Sequence, residues 1–109
     1  MITRPRSFTC AFGDRVFRCV LSPTEERRWK GKRCDQKWIL SLDDGTSVSV
    51  YSPARSSWLR LLEACHFYVG DLEMDLGDDP ECDPSRVHTL TNFRQALWSE
   101  VVVLRSSRE

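Results

Sequence analysis

Two stretches of alternating apolar and polar residues, each divided by a turn that contains glycine, constrain the fold of this chain most strongly. In the first stretch the apolar residues lie at every second position on either side of Gly13-Asp14: Phe8, Cys10, Phe12, Phe17, Cys19 and Leu21. Glycine followed by aspartate is typical of a two-residue turn of type II′. The pattern therefore predicts an antiparallel hairpin in which Cys10 lies opposite Phe17 and one face is apolar.

The second stretch runs over residues 37–51 around Asp43-Asp44-Gly45. A two-residue loop would set an apolar residue opposite a serine, whereas a three-residue loop with Gly45 in the left-handed conformation pairs apolar residues with one another. We therefore predict the three-residue loop. The facing pairs would be Leu42 with Thr46, Leu40 with Val48 and Trp38 with Val50.

Serine followed by proline occurs twice, as is typical of helix starts. Ser22-Pro23 predicts a short helix to about Trp29, and Ser52-Pro53 predicts a longer helix over about 53–69 that ends before Gly70. Apolar residues at intervals of three and four in the longer helix would pack on the sheet: Ala54, Trp58, Leu61, Leu62, Cys65 and Val69.

Residues 71–85 are expected to form an acidic loop that contains Pro80 and Pro84. A short helix capped by Asn92 and a strand over residues 100–104 would follow it. The predicted fold is one α+β domain over residues 1–109, with an antiparallel four-stranded sheet from two hairpins packed by one main helix. The hairpins and that helix would form a core over 7–70, and residues 86–109 would add the C-terminal helix and strand.

The net charge of the 109-residue chain is zero, but its charges are unevenly distributed. Five of the seven residues in Arg27-Arg28-Trp29-Lys30-Gly31-Lys32-Arg33 are basic, whereas residues 71–83 hold seven acids and no base. The basic heptad would be a plain solvated loop, a phosphate-binding arm or an import signal. The acidic segment could fold back over it and shield it.

The remaining composition argues against several classes of protein. No stretch is apolar enough for a membrane span, and no apolar run follows the basic N-terminus as in a secretory signal. The five cysteines contain no close pair, which favours a reduced chain inside the cell, either nuclear or cytoplasmic.

Metal binding and catalysis have little support in the sequence. Cys65-His66 with Cys82 and His88 supplies zinc-binding atoms, but neighbouring helical residues diverge and no short cysteine knuckle is present. The acids from Asp71 onward lack the glycine and glutamate of a calcium loop. None of the hydrolase, phosphate-loop or dinucleotide motifs is found, so we expect no cofactor, no metal and no enzymatic activity.

The sheet face turned away from the main helix would mix basic, hydroxyl, aromatic and apolar side chains. Its members would be Thr9, Val16, Arg18, Val20, Lys37, Ile39, Ser41, Ser47, Ser49 and Tyr51. Such a face is typical of sheets that bind single strands, although a solvated face or a dimer interface would have the same composition.

The order hairpin, hairpin, helix over residues 7–70 resembles the PUR repeat and the PC4-type single-stranded DNA-binding domains. That resemblance implies a curved four-stranded sheet backed by a helix, and a dimer. Our leading prediction is a non-catalytic homodimer that binds single-stranded DNA or RNA. The expected binding residues are Arg18, Arg27, Arg28, Trp29, Lys30, Lys32, Arg33, Lys37 and Tyr51. The alternative is a regulatory adaptor that binds an acidic protein with the same heptad or pairs through the strand at 101–104.

Overall fold

The computed structural model describes residues 4–107 and confirms the α+β class with a four-stranded antiparallel sheet. The strands follow one another in the sheet as they do in the chain, and two helices complete the fold. The elements are β1 (Arg6–Phe12), β2 (Arg15–Lys30), β3 (Arg33–Leu42), β4 (Ser47–Pro53), α1 (Trp58–Gly77) and α2 (Pro84–Ser106).

Both predicted hairpins have the expected registers. Cys10 pairs with Phe17 across a turn in which Gly13 has a φ of +64°. In the second hairpin the backbone N–H of Leu42 donates to the carbonyl of Thr46 at 2.9 Å, and Gly45 has a φ of +94°. The apolar pairs Leu40 with Val48 and Trp38 with Val50 follow from that three-residue loop.

The predicted helix from Ser22 to Trp29 is wrong, because β2 continues as one 16-residue strand to Lys30. A shift in register between Pro23 and Arg27 accommodates the proline, which cannot donate a backbone hydrogen bond. Side chains make bonds there instead: Thr24 Oγ1 donates to the Lys37 carbonyl at 2.8 Å, and Gln36 Nε2 to the Thr24 carbonyl at 3.1 Å. The basic heptad therefore forms a third hairpin and is not a loop between two hairpins.

Helix α1 begins later and ends later than the sequence predicts. Ser57, not Ser52, caps it, and the Ser57 hydroxyl accepts from the backbone N–H of Arg60 at 3.2 Å. The helix passes through Gly70 to Gly77, so the first half of the predicted acidic loop is helical. A β-carbon at Gly70 would lie 3.2 Å from Cδ of Arg94, which shows how closely α2 approaches α1 at this position.

Helix α2 takes the place of the predicted C-terminal short helix and strand. Asp83 caps it by accepting from the backbone N–H of Ser85 at 3.0 Å, and Pro84 occupies the first turn. Asn92 lies inside the helix, and so do residues 100–104, which were expected to be a strand. Val101 is buried whereas Val102 and Val103 are exposed, so the apolar run covers both sides of a helix.

One core joins the sheet to both helices. The inward side chains of the sheet are Cys10, Phe17, Cys19, Leu21, Trp38, Leu40, Leu42, Val48 and Val50. They meet buried residues of α1 and α2, among them Leu61, Leu62, Phe93 and Leu97. Within residues 4–107 neither helix has the length and apolar character needed to cross a membrane.

Candidate functional site

The hairpin of β2 and β3 extends beyond the strands on either side of it. The last pair that β1 makes with β2 is Arg6 with Leu21, and the last pair that β4 makes with β3 is Pro53 with Asp35. Gly31, with a φ of +61°, and Lys32 form the turn. Residues 29–33 therefore project beyond the sheet, and we call them, together with the nearby Arg27, the hairpin tip.

Strand alternation divides the basic heptad between the two faces of this hairpin. Arg27 and Trp29 lie opposite Gln36 and Cys34, so their side chains share one face. Arg28 and Lys30 lie opposite Asp35 and Arg33 on the other face. The five cations consequently cannot all contact one strand of a ligand from the same side.

The tip exposes an aromatic ring beside several cations. Trp29 retains 68% of its accessible surface, and Arg27, Lys30 and Lys32 are also exposed. Among residues 4–107, none of these three cations lies within 4.0 Å of an acidic oxygen. The tip is therefore able to offer both ring stacking and positive charge to a ligand.

Arg28 lies between the hairpin and α1 and connects the two. Its guanidinium carbon lies 4.0 Å from the centre of the Tyr51 ring, and Nη2 donates to the Tyr68 hydroxyl at 3.3 Å. Nη2 also lies 3.8 Å from Oδ2 of the buried Asp35, whose Oδ1 accepts from Nε of Arg33 at 2.9 Å. These contacts fix the base of the hairpin against the helix.

An open cleft of about 350 Å³ lies between the base of the hairpin, the end of β4 and α1. Its walls carry two arginines and three aromatic rings among other groups: Arg33, Tyr51, Ser52, Pro53, Arg60, Glu63, Ala64, Phe67 and Tyr68. Phe67 is 65% exposed and makes an edge contact with Tyr68, with ring centres 5.1 Å apart. Guanidinium groups bind phosphate and exposed rings stack on bases, so the cleft suits a ligand that has both.

Six of the nine predicted binding residues lie within residues 27–33 of the hairpin, and the other three lie elsewhere in the sheet. Lys37 forms an ion pair with Glu26 at 3.2 Å, at the irregular part of β2. Arg18 lies on the outer face of the sheet, where it lines a separate groove of about 490 Å³ with Val20 and Ser41. Tyr51 packs against Arg28 and Tyr68, which makes it a support for the cleft.

Sequence reasoning missed four residues of the site: Asp35, Arg60, Phe67 and Tyr68. Asp35 is a single acid among basic residues, and this pattern could have predicted a buried ion pair. Arg60, Ala64 and Phe67 recur at intervals of four and three, which places them on one side of α1. The approach of that side to the hairpin depends on tertiary packing and had no local signal.

The chemistry that this arrangement can perform is recognition of anions and flat rings. Among residues 4–107, no three His, Cys, Asp or Glu side chains are grouped so that they could hold a metal ion. The chain matches no family model, no curated protein and no solved structure.

Proposed function

We propose that this protein binds single-stranded nucleic acid, DNA or RNA, without catalysing a reaction and without a cofactor. The observation that carries the proposal is the projecting hairpin tip, with exposed Trp29 and three cations, next to a cleft lined by Arg33, Arg60 and Phe67. The five cysteines are free thiols, which fits a reducing intracellular compartment, nuclear or cytoplasmic.

Each group has a defined task in this proposal. Arg27, Lys30 and Lys32 contact phosphates at the tip, and Arg33 with Arg60 binds a phosphate in the cleft. Trp29 and Phe67 stack on bases, which requires bases that are not already paired and stacked in a duplex. Arg28, Asp35, Tyr51 and Tyr68 hold the cleft in shape.

Fluorescence anisotropy with labelled single-stranded and double-stranded DNA and RNA, over a series of salt concentrations, tests the proposal. We expect single strands to bind with a Kd of about 1–100 µM near physiological salt, and duplexes to bind more weakly. The logarithm of affinity should fall linearly with that of salt, by roughly 0.7 per phosphate contacted. Absence of binding to every nucleic acid in this range would contradict the proposal.

Two variants separate stacking from charge at the tip. Trp29→Ala should weaken single-strand binding by about tenfold and leave the salt slope unchanged, because it removes one stacked base. Arg27→Gln, Lys30→Gln and Lys32→Gln together should weaken binding and reduce the slope by roughly 2. The matched control, Arg15→Gln with Arg55→Gln and Arg86→Gln, removes three exposed positive charges elsewhere and should retain the wild-type slope.

An adaptor that binds an acidic protein is the second candidate, because the same exposed cations would serve it. Strand pairing at residues 101–104 is no longer part of that alternative, since these residues are helical. Competition with poly-glutamate distinguishes the two functions. An acidic peptide has no bases, so Trp29→Ala should weaken nucleic-acid binding and leave poly-glutamate binding unchanged if the nucleic-acid proposal is correct.

A further inference from the structure

A second surface, on the helices, combines exposed apolar side chains with acids. We call it the helix groove: an open groove of about 430 Å³ lined by side chains of α1 and by Arg94 of α2. The lining residues of α1 are His66, Phe67, Gly70, Asp71, Glu73 and Met74. Phe67 and Met74 remain 65% and 69% exposed. They are seven residues apart, which on a helix is about 10 Å. Both side chains therefore leave apolar surface of the groove open to solvent.

The floor of the helix groove is electrically neutral. Arg94 passes over Gly70, where a β-carbon would lie 3.2 Å from Cδ of Arg94, and its Nε contacts Oε2 of Glu73 at 2.6 Å. Thr91 Oγ1 donates to Oε1 of the same carboxylate at 2.8 Å. Both charges of the floor are therefore satisfied within the molecule.

The acids on the exposed side of α1 are in a different situation. Asp71, Asp75 and Asp78 are all exposed and are spaced by four and three residues, so they lie along the same side of the helix as Phe67 and Met74. None of them lies within 4.0 Å of a basic nitrogen among residues 4–107. The groove therefore complements a partner that carries an apolar anchor flanked by positive charges.

The hairpin tip of a second copy has that chemistry. It presents Trp29 as an apolar anchor, with the exposed Arg27 on the same face and the exposed Lys32 in the turn beside it.

The position of Phe67 indicates how two copies would meet. This residue lines the cleft together with Arg33 of the hairpin, and it also lines the helix groove. The cleft includes Arg60 and Ala64, before Phe67 in α1, and the groove includes Gly70 and Met74, after it, so Phe67 lies between the two surfaces. A two-fold axis near Phe67 would place each tip over the groove of the other copy and make the same contact twice.

We propose that this protein forms a closed homodimer in which the hairpin tip of each copy inserts Trp29 into the helix groove of the other. Arg27 and the turn residue Lys32 of each tip face Asp71, Asp75 and Asp78 of the partner copy. The dimer uses Trp29, the tip cations and Phe67, which the proposed function assigns to nucleic acid, so the two bindings exclude each other at these groups. The dimer is therefore tested in the absence of nucleic acid.

Sedimentation equilibrium of the purified full chain at low salt tests the dimer. We expect a monomer–dimer equilibrium whose mass does not rise beyond the dimer, and a weaker dimer at high salt because surface charges are screened. Trp29→Ala, Phe67→Ser with Met74→Ser, and Asp71→Asn with Asp75→Asn and Asp78→Asn should each raise the dimer Kd by about tenfold or more. Val16→Ser and Val103→Ser, exposed at 64% and 61% outside the proposed contact, are the matched controls.

Mixing two defective variants tests that the contact joins a tip to a groove. Trp29→Ala retains an intact groove, and Phe67→Ser with Met74→Ser retains an intact tip. Each alone should be monomeric, whereas their mixture should form a one-to-one dimer with one intact contact of the two. Circular dichroism confirms that the variants are folded.

Three results would overturn the dimer: a wild type that stays monomeric at all concentrations, a dimer that these variants do not weaken, or a mixture that stays monomeric. The first leaves the nucleic-acid titration unaffected, so failure of the dimer and failure of the proposed function are separate outcomes.

Discussion

The aromatic side chains Trp58 and Phe93 differ in burial from what their positions in the sequence indicate. Trp58 looks like the central core residue of the main helix, but it is only partly buried, with its ring 5.1 Å from Phe8 and Arg6 over its face at 3.9 Å. Phe93 is fully buried, and its ring centre lies 5.2 Å from that of Phe17. Phe93, and not Trp58, is therefore a fully buried aromatic residue of the core.

Substitution by alanine should lower the free energy of unfolding more at Phe93 than at Trp58. Phe93→Ala should lower the free energy of unfolding by about 3–5 kcal/mol, because it leaves a cavity between sheet and helix. Trp58→Ala should cost about 1–2 kcal/mol, since part of its surface is already in water. Urea unfolding followed by circular dichroism measures both, and a larger loss for Trp58→Ala would contradict the structural ranking.

The candidate site could be predicted only in part, and the reason lies in single contacts. The sequence identifies Trp29 and its basic neighbours because they are local in the chain. Arg28 belongs to the same run, yet its task is decided by Tyr68, which lies 40 residues away. Arg60 and Phe67 enter the site only because α1 packs beside the hairpin, which no local pattern encodes.

At the scale of elements, the sequence predicts hairpins better than helix boundaries. Turn chemistry and alternation determine both hairpin registers locally, with Gly13 and Gly45 at positive φ. The Ser-Pro pairs at positions 22 and 52 have the composition of helix caps, but pairing with β3 holds both in strands. Tertiary pairing thus outweighs local preference. The valines at 101–103 favour a strand locally, but tertiary packing holds them in helix α2.

The seam between α1 and α2 should make stability depend on pH through Glu73. Partial burial opposes ionisation of Glu73, but the hydrogen bonds from Arg94 and Thr91 outweigh it and lower its pKa. A carboxyl whose pKa is lower in the folded state stabilises the fold above its unfolded pKa of about 4.3 and loses that contribution as pH falls through the folded value.

Comparison of wild type with Glu73→Gln across pH checks this dependence. The variant should have a lower melting temperature at neutral pH, and the difference should shrink as the pH falls below about 4. Glu81→Gln, an exposed acid outside the helices, is the control and should change the melting temperature little at any pH. A difference between wild type and Glu73→Gln that stays constant down to acid pH would contradict the role of the ion pair.

At the scale of the whole molecule, three thiols lie between the two layers of the fold. Cys10 and Cys19 face inward from the sheet and Cys65 faces them from α1, all fully or almost fully buried. Burial and the nearby Cys10 raise the pKa of Cys65 to about 12, and the neighbouring Cys10 thiol together with burial raises the pKa of Cys19. Cys34 and Cys82 are only partly buried.

Thiol labelling should therefore divide the cysteines into two groups. Cys34 and Cys82 should react rapidly with a thiol reagent in the folded protein, because thiolate formation and access are required for reaction. Cys10, Cys19 and Cys65 should react only as fast as the molecule unfolds. Mass spectrometry counts the labels over time. Cys34→Ser with Cys82→Ser should lose the rapid phase, and rapid labelling of that variant would show that the two layers separate locally.

The order of the strands has a consequence for synthesis of the chain on the ribosome. Each strand pairs with the one made just before it, so the sheet can assemble step by step as the chain emerges. Its apolar face, however, is covered by α1 and by α2, and α2, made last of the six elements, packs against β1, made first. Cys10 and Phe17 of the nascent sheet therefore stay exposed to solvent until α2 has emerged. A chaperone would bind the chain during this interval.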